Sequence, residues 1–455
     1  MSNYSHHQSQ NRPGNFYSDP MPPQTDEYGD LPGSSSRRAP RSKEQVAAIP
    51  DPELERTKRR GFHPIQALSI AAKSGCFLGA CTNVLWPFVP IGLALHFVRP
   101  EWHLWVFITN YVAMIPTANL LAFSSAGLAR KIPRVLGVVI QVTVASVVEI
   151  ILCILLLFKG QYKVIQAALL GSMLANLLLC TGLCFVVGGI RTKAQEFGDV
   201  LAETGGGLLL LSVAALTLPA AFYEGLSGLN RTTAADLTDR ILSVSRYMSI
   251  LLFAAYALYL FFQLHTHHHL FDHDLYHADQ ANKDRRDNVN RAKLTITESL
   301  LFVLFSLTLV CLHSIFMVEQ IHWIVSNRHV SDAFMGLILV PLVEKAAEHL
   351  SAVDEAWDNA MDFALSHILG STIQTALLVA PIVVVVGWIA GRPMDLNFEV
   401  FMVVILVFSV LVVGNFIKDG KSNYLEGALC CIFYLMISVT TWYYPNPLEL
   451  ESGGE

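Results

Sequence analysis

Two glutamates inside apolar stretches are the residues best placed to do chemistry. Glu149 closes Ala145-Ser146-Val147-Val148-Glu149, and twenty-two residues after it begins Gly171-Ser172-Met173-Leu174-Ala175-Asn176. Glu348 lies in Val343-Glu344-Lys345-Ala346-Ala347-Glu348-His349, and twenty-two residues after it begins Gly370-Ser371-Thr372-Ile373-Gln374. A constant offset of 199 carries Gly137 to Gly336, Glu149 to Glu348, Gly171-Ser172 to Gly370-Ser371 and Gly188 to Gly387. A carboxylate facing lipid costs at least ~2.5–3.5 kcal/mol, so two of them at repeat-related positions need a reason. Paired carboxylates supply oxygen ligands for a hard divalent cation. Held close at low dielectric, they do not both stay charged unless a cation or protons neutralise them. Competition between cation and protons for the same oxygens couples their exchange, given a site that opens alternately to the two sides.

Around this pair, Ser146, Ser172, Asn176, Ser371 and Gln374 bring neutral oxygens that could complete a metal-ligating set with Glu149 and Glu348. Small and polar residues also hold membrane helices together without binding anything, and that reading stays open for them. Three neighbours modulate the site. Lys345 sits three residues before Glu348, on the same helix face, where an ammonium could neutralise it, titrate in a polar cavity, or extend away. Glu344 adds a carboxylate one turn before Glu348. His349 could relay protons or pack between helices. His313 and His367 also fall in apolar spans and receive no role.

The elements that must position these groups are membrane helices. The chain has 455 residues, 53% hydrophobic and only 15% charged, against about 25% charged in soluble proteins. Apolar runs long enough to cross a bilayer recur after residue 75. The expected fold is all-α and polytopic, with about eleven spans near 75–98, 102–123, 134–158, 163–190, 201–222, 244–264, 297–318, 333–354, 361–389, 398–417 and 424–444. This divides into a disordered cytosolic tail (1–74), an extra N-terminal helix (75–98), a first repeat (99–264), a His-rich cytosolic linker (265–296), a second repeat (297–445) and a C-terminal tail (446–455). Five helices per repeat, an odd number, invert the second copy relative to the first. That is the plan of many secondary transporters, with the site at the repeat interface near the bilayer midplane.

Residues 1–74 are rich in Ser, Pro, Gln and Asn and lack an apolar period, so they cannot offset ordering entropy. They carry no cleavable signal. The basic run Arg56-Thr57-Lys58-Arg59-Arg60 beside the first span places the N-terminus in the cytosol and, through eleven spans, the C-terminus on the luminal side. Cytosolic loops would then be 124–133, 191–200, 265–296, 355–360 and 418–423, all but 355–360 bearing Lys or Arg. Asn230-Arg231-Thr232, a glycosylation sequon, falls on a non-cytosolic loop. The linker holds His265, His267, His268, His269, His273 and His277 with Asp272 and Asp274, either a transition-metal or pH-sensing segment or a solvated connector. Thr295-Ile296-Thr297-Glu298 has the capping-box spacing, which makes Glu298 a helix cap. The eight cysteines lie in or beside spans with no zinc spacing and read as small apolar packers. With no His-Glu-x-x-His and no Gly-x-Ser-x-Gly, an enzyme is not expected. No cofactor is expected either. The partners are the transported ions and the bilayer, not nucleic acid, and a homo-oligomer stays open.

Several segments resemble the cation/proton exchanger (CAX) branch of the calcium/cation antiporter superfamily. They are Val164-Ile165-Gln166-Ala167 through Gly171-Ser172-Met173-Leu174-Ala175-Asn176 to Gly188-Gly189; Gly336-Leu337-Ile338-Leu339 with Pro341 and Ala346-Ala347-Glu348-His349; Asp362 through Gly370-Ser371-Thr372-Ile373-Gln374 to Gly387-Trp388; and Asp419-Gly420-Lys421-Ser422-Asn423-Tyr424 to Gly427-Ala428. The resemblance covers roughly residues 75–445. It implies exchange of cytosolic Ca²⁺ for protons of an acidic organelle, as in fungal and plant vacuolar members, with Glu149 and Glu348 as alternating cation and proton sites. The chain departs from the family in the site itself. An asparagine three residues before each glutamate is here Ser146 and Lys345. A typical acidic pair after the second span is Ala126-Gly127, and an acidic residue expected near Ile315 is missing. Three functions therefore stay open: a Ca²⁺/H⁺ exchanger, a Na⁺ or K⁺/H⁺ exchanger in which Lys345 replaces part of the cation charge, or a transport-inactive regulatory paralogue.

Overall fold

The computed structural model describes residues 64–72, 77–227, 234–281, 294–328 and 330–445. The basic run at 56–60, the sequon, the bases at 283–293 and the C-terminal tail lie outside the described residues.

The fold is a helical membrane bundle. Among the described residues nine helices are long and apolar enough to span a membrane: His103–Ala129, Arg134–Phe158, Tyr162–Arg191, Val200–Ser227, Asp236–Thr266, Ile296–Arg328, Met361–Ile389, Val400–Ile417 and Tyr424–Trp442. The other two expected spans, near 75–98 and 333–354, are divided into shorter helices. The segment at 75–98 divides into α1 (Phe77–Thr82), a 3₁₀ turn (Asn83–Leu85) and α2 (Phe88–Val98). Pro87 stands between the last two, at the N-cap of α2, where its missing N–H costs no helical hydrogen bond. These pieces lean on α3 (His103–Ala129) through buried amides: Asn119 Nδ2 donates to the Gly79 carbonyl at 3.1 Å and Asn110 Nδ2 to the Gly92 carbonyl at 3.4 Å.

The eighth expected span, 333–354, is the second broken element. It runs as one turn at Asp332–Phe334, a π-helical stretch at Met335–Leu339, α4 (Val340–Glu344) and α5 (Ala346–Trp357), with Lys345 at the break (φ −90°, ψ −3°). Pro341 has no N–H to offer the Leu337 carbonyl four residues earlier. That carbonyl faces Gly171, where any Cβ would collide with it. Across the same contact a Cβ on Gly336 would come 2.5 Å from the Ala167 Cβ. Two glycines thus let this broken helix lie backbone to backbone on the helix Tyr162–Leu174. π-helical turns at Ala175–Cys180 and Thr375–Val379 fall at nearly equivalent places in the two repeats.

Loops gather at two ends. At one, Gln195–Glu196 pairs antiparallel with Lys421–Ser422. Arg191 Nη1 is 3.2 Å from Asp358 Oδ1, Gln195 Nε2 donates to the Ala356 carbonyl at 2.8 Å, and the Gly198 N–H donates to Asp362 Oδ1 at 2.6 Å. The described part of the linker is no extended connector. It forms a helix, His268–Ala281, tied to the bundle by Asp272 at 3.8 Å from Arg134. At the other end Lys159 Nζ is 3.0 Å from Glu319 Oε1, and Gln166 Nε2 donates to Asp395 Oδ1 at 2.8 Å. The capping box forms as its spacing predicts: Glu298 N donates to Thr295 Oγ1 at 3.2 Å, and Thr295 N to Glu298 Oε2 at 2.9 Å. Cys153, Cys180, Cys184 and Cys430 are buried and free.

Candidate functional site

The site is built where Arg134–Phe158, the break at Lys345 and the helix Met361–Gln374 meet. Glu149 faces inward from an apolar helix and is 2% exposed. Lys345 is 1% exposed, and its Nζ lies 3.3 Å from Glu149 Oε2 and 3.3 Å from Glu348 Oε1. One nitrogen therefore touches a carboxylate from each repeat. The same Nζ is 3.4 Å from Ser371 Oγ, and that hydroxyl donates to Glu348 Oε2 at 3.1 Å. Glu348 keeps a side chain 25% exposed, so it is the less buried of the two acids.

A second layer of polar groups fixes these carboxylates. Thr375 Oγ1 donates to Glu149 Oε2 at 2.9 Å. Gln374 accepts from Ser146 Oγ at 2.9 Å and donates through Nε2 to Thr143 Oγ1 at 3.0 Å and Tyr256 OH at 2.8 Å. Its four hydrogen-bonding capacities are thus largely used within the protein. Asn176 has a different partner: its Oδ1 accepts from His349 Nε2 at 3.1 Å. Among the described residues Ser172 Oγ is buried with no hydrogen-bond partner, as are Glu149 Oε1, Glu344 Oε1 and Asn176 Nδ2.

The sequence candidates therefore separate. Glu149, Lys345, Glu348 and Ser371 come together directly. Ser146 and Gln374 form a bridge beside them, while Asn176 and His349 form a pair of their own. His313 pairs with Asn110 Oδ1 at 2.7 Å and His367 with Glu355 Oε2 at 3.1 Å, both outside this cluster. Among the described residues no three His, Cys, Asp or Glu side chains form a metal-holding group, the His-bearing helix included. Between the acids stands an ammonium instead. Sequence reasoning missed Thr375, Thr143 and Tyr256. Thr375 was within reach, because the 199-residue offset carries Asn176 to Thr375. Nothing in the spacing flags Tyr256, which arrives from a helix with no repeat-related motif.

Chemically, the arrangement holds one positive charge between two buried carboxylates. At low effective dielectric such a pairing is strong, and removing one partner leaves a buried charge uncompensated.

The sodium/calcium exchanger protein family matches residues 102–265 and 298–443, one block in each half. The chain is 35% identical over 365 residues to a vacuolar calcium ion transporter of Schizosaccharomyces pombe, covering 80% of this chain and 85% of that one. It is 32% identical over 373 residues to vacuolar cation/proton exchanger 2 of Oryza sativa subsp. japonica, covering 81% and 83%. Among solved structures it resembles the Ca²⁺/H⁺ antiporter protein YfkE, with 26% identity and a TM-score of 0.63 over 80% of this chain and 100% of that one. With matches through both repeats, the chain is a transporter and not an enzyme, and it belongs to the sodium/calcium exchanger protein family, in its CAX-type cation/proton exchanger branch.

Proposed function

We propose that the protein is a secondary active antiporter exchanging cytosolic Ca²⁺ for protons of a vacuole or other acidic organelle. Its two repeats, 99–264 and 297–445, share one site. Glu149 and Glu348 carry cation and protons in turn, with Ser371 and Thr375 holding their oxygens and Ser146 and Gln374 bracing the helices. The N-terminus is cytosolic and the C-terminus luminal in this reading. One observation carries it: Lys345 Nζ stands 3.3 Å from an oxygen of each glutamate, so both acids lie within reach of a single ion. Relatives at 30–35% identity bearing the names of calcium transporters and Ca²⁺/H⁺ antiporters supply the substrate.

In the exchange cycle Ca²⁺ displaces the Lys345 ammonium from between the acids, and protons from the acidic side discharge Ca²⁺ by taking up the same oxygens. The same ammonium favours a second reading. If Lys345 never leaves, one positive charge is permanently filled, and the site exchanges Na⁺ or K⁺ for protons or serves only as a structural bridge in a regulatory paralogue. Vesicles containing the purified protein, loaded acid-inside, separate these. Uptake of ⁴⁵Ca²⁺ that disappears in Glu149→Gln and in Glu348→Gln supports the first. Monovalent uptake without calcium supports the second, and no flux from folded protein overturns both exchange readings.

A further inference from the structure

The second repeat differs from the first by two charges placed side by side. Where the first has Ala145-Ser146, the second has Glu344-Lys345, and both charges are buried. Lys345 has partners. Glu344 is 9% exposed, yet its Oε1 has no hydrogen-bond partner among the described residues and it forms no ion pair there. A buried carboxylate oxygen left without a partner is costly unless another state of the protein uses it. Glu344 lies within electrostatic range of Glu149, Lys345 and Glu348. In sequence Glu344 is four residues and Lys345 three residues before Glu348, with Glu344 and Glu348 on either side of the break.

Resting on the antiporter reading above, we propose that Glu344 is the second docking place of the Lys345 ammonium, occupied when a divalent cation binds between Glu149 and Glu348. The charges balance. With all three acids ionised, three carboxylates and one ammonium leave two negative charges, which one Ca²⁺ neutralises. With the ammonium on Glu344, those two charges sit on Glu149 and Glu348. With it between Glu149 and Glu348, the site is filled by the protein's own cation. No proton or bond is transferred. The lysine side chain moves, and the cation takes its place. Glu344 is thus a positioning residue that acts on the transported ion through Lys345.

The test uses the full-length protein in detergent and in vesicles, with Ca²⁺ itself as the probe. The Ca²⁺ concentration giving half-maximal thermal stabilisation is read at fixed pH, and ⁴⁵Ca²⁺ uptake is read beside it. In Glu344→Gln the ammonium loses its alternative partner. If that makes the cation-competent state ten times rarer, the half-maximal concentration rises about tenfold. Lys345→Gln lowers it below that of the unaltered protein. The double variant matches Lys345→Gln, because without the ammonium Glu344 has nothing to receive. Glu344→Asp keeps the charge but draws it back, and gives an intermediate value. A half-maximal concentration within twofold of the unaltered protein in Glu344→Gln, or in Glu344→Asp should the first variant not fold, overturns the proposal while leaving the antiporter reading standing. So does a Glu344→Gln effect that persists undiminished in the Lys345→Gln background. Absence of any Ca²⁺ response, both in the unaltered protein and in Lys345→Gln, overturns the antiporter reading and the proposal together.

Discussion

Ser146 and Lys345 occupy equivalent places in the two repeats, and each reaches across to the opposite repeat: Ser146 Oγ donates to Gln374 at 2.9 Å, and Lys345 Nζ lies 3.3 Å from Glu149. One crossing is neutral and the other charged. The two halves are thus joined at the site by a hydrogen bond on one side of the pseudo-symmetry and by an ion pair on the other.

The charged crossing makes Lys345 a stability element. Replacing it with Met leaves Glu149, 2% exposed, without its counter-charge, a loss of about 3–5 kcal/mol. Thermal unfolding in detergent without calcium is expected to fall accordingly, and Glu149→Gln in the same background to recover most of it. Equal stabilities for the single and double variants would show that the pair contributes nothing.

Thr375 makes a narrower prediction. Thr375→Val keeps the shape and removes the donor to Glu149 Oε2. A hydrogen bond to a charged group contributes about 1.5–3 kcal/mol. Thr375→Ser is expected to retain both stability and exchange, and Thr375→Val to lose affinity for the transported cation. Uptake curves for the two variants check this, and an unaltered Val variant contradicts it.

The backbone contact at the broken helix gives a steric prediction. Gly171→Ala drives a Cβ into the Leu337 carbonyl, and Gly336→Ala presses on Ala167. Backbone cannot yield as a side-chain tip does, so each should cost about 1–3 kcal/mol. Gly206→Ala has nothing within 4 Å and serves as the control, with stability in the same melt kept or raised by about 0.5–1 kcal/mol, since alanine favours the helix it sits in.

The loop at 390–399 supplies a pH dependence. Burial pushes the Asp395 carboxyl above its ordinary value, against the opposing Asn397 N–H, Lys163 and Gln166. A raised value in the folded state means that the folded protein holds the proton more tightly than the unfolded chain. The stabilisation is present at pH below the ordinary carboxylate value and is lost as pH rises past the raised one. Asp395→Asn should flatten that part of the stability profile, as equilibrium unfolding across mildly acidic pH would show.

Most of the fold was legible because membrane spans announce themselves by composition. The 199-residue offset located both acids before any coordinates. What stayed hidden were backbone events. Pro341 signals a weak point in 333–354, but the break falls four residues later, at Lys345, whose buried side chain pairs with two acids. Asn176 reads as a ligand from its motif, and its Oδ1 accepts a hydrogen bond from His349 Nε2 that the motif does not announce. Periodicity places residues on faces but does not say which neighbour takes a hydrogen bond first. The offset would have supplied Thr375, had polar identity not been demanded to match.

The pairing of Glu149 with Lys345 also sets an order of events in biosynthesis. A ribosome finishes the helix Arg134–Phe158 long before it reaches Lys345. Glu149 must therefore enter the bilayer with no ammonium to meet it, its apolar flanks alone outweighing an insertion cost of about 2.5–3.5 kcal/mol. The first half waits in the membrane as an acid without its base, and the late arrival of the second half completes it.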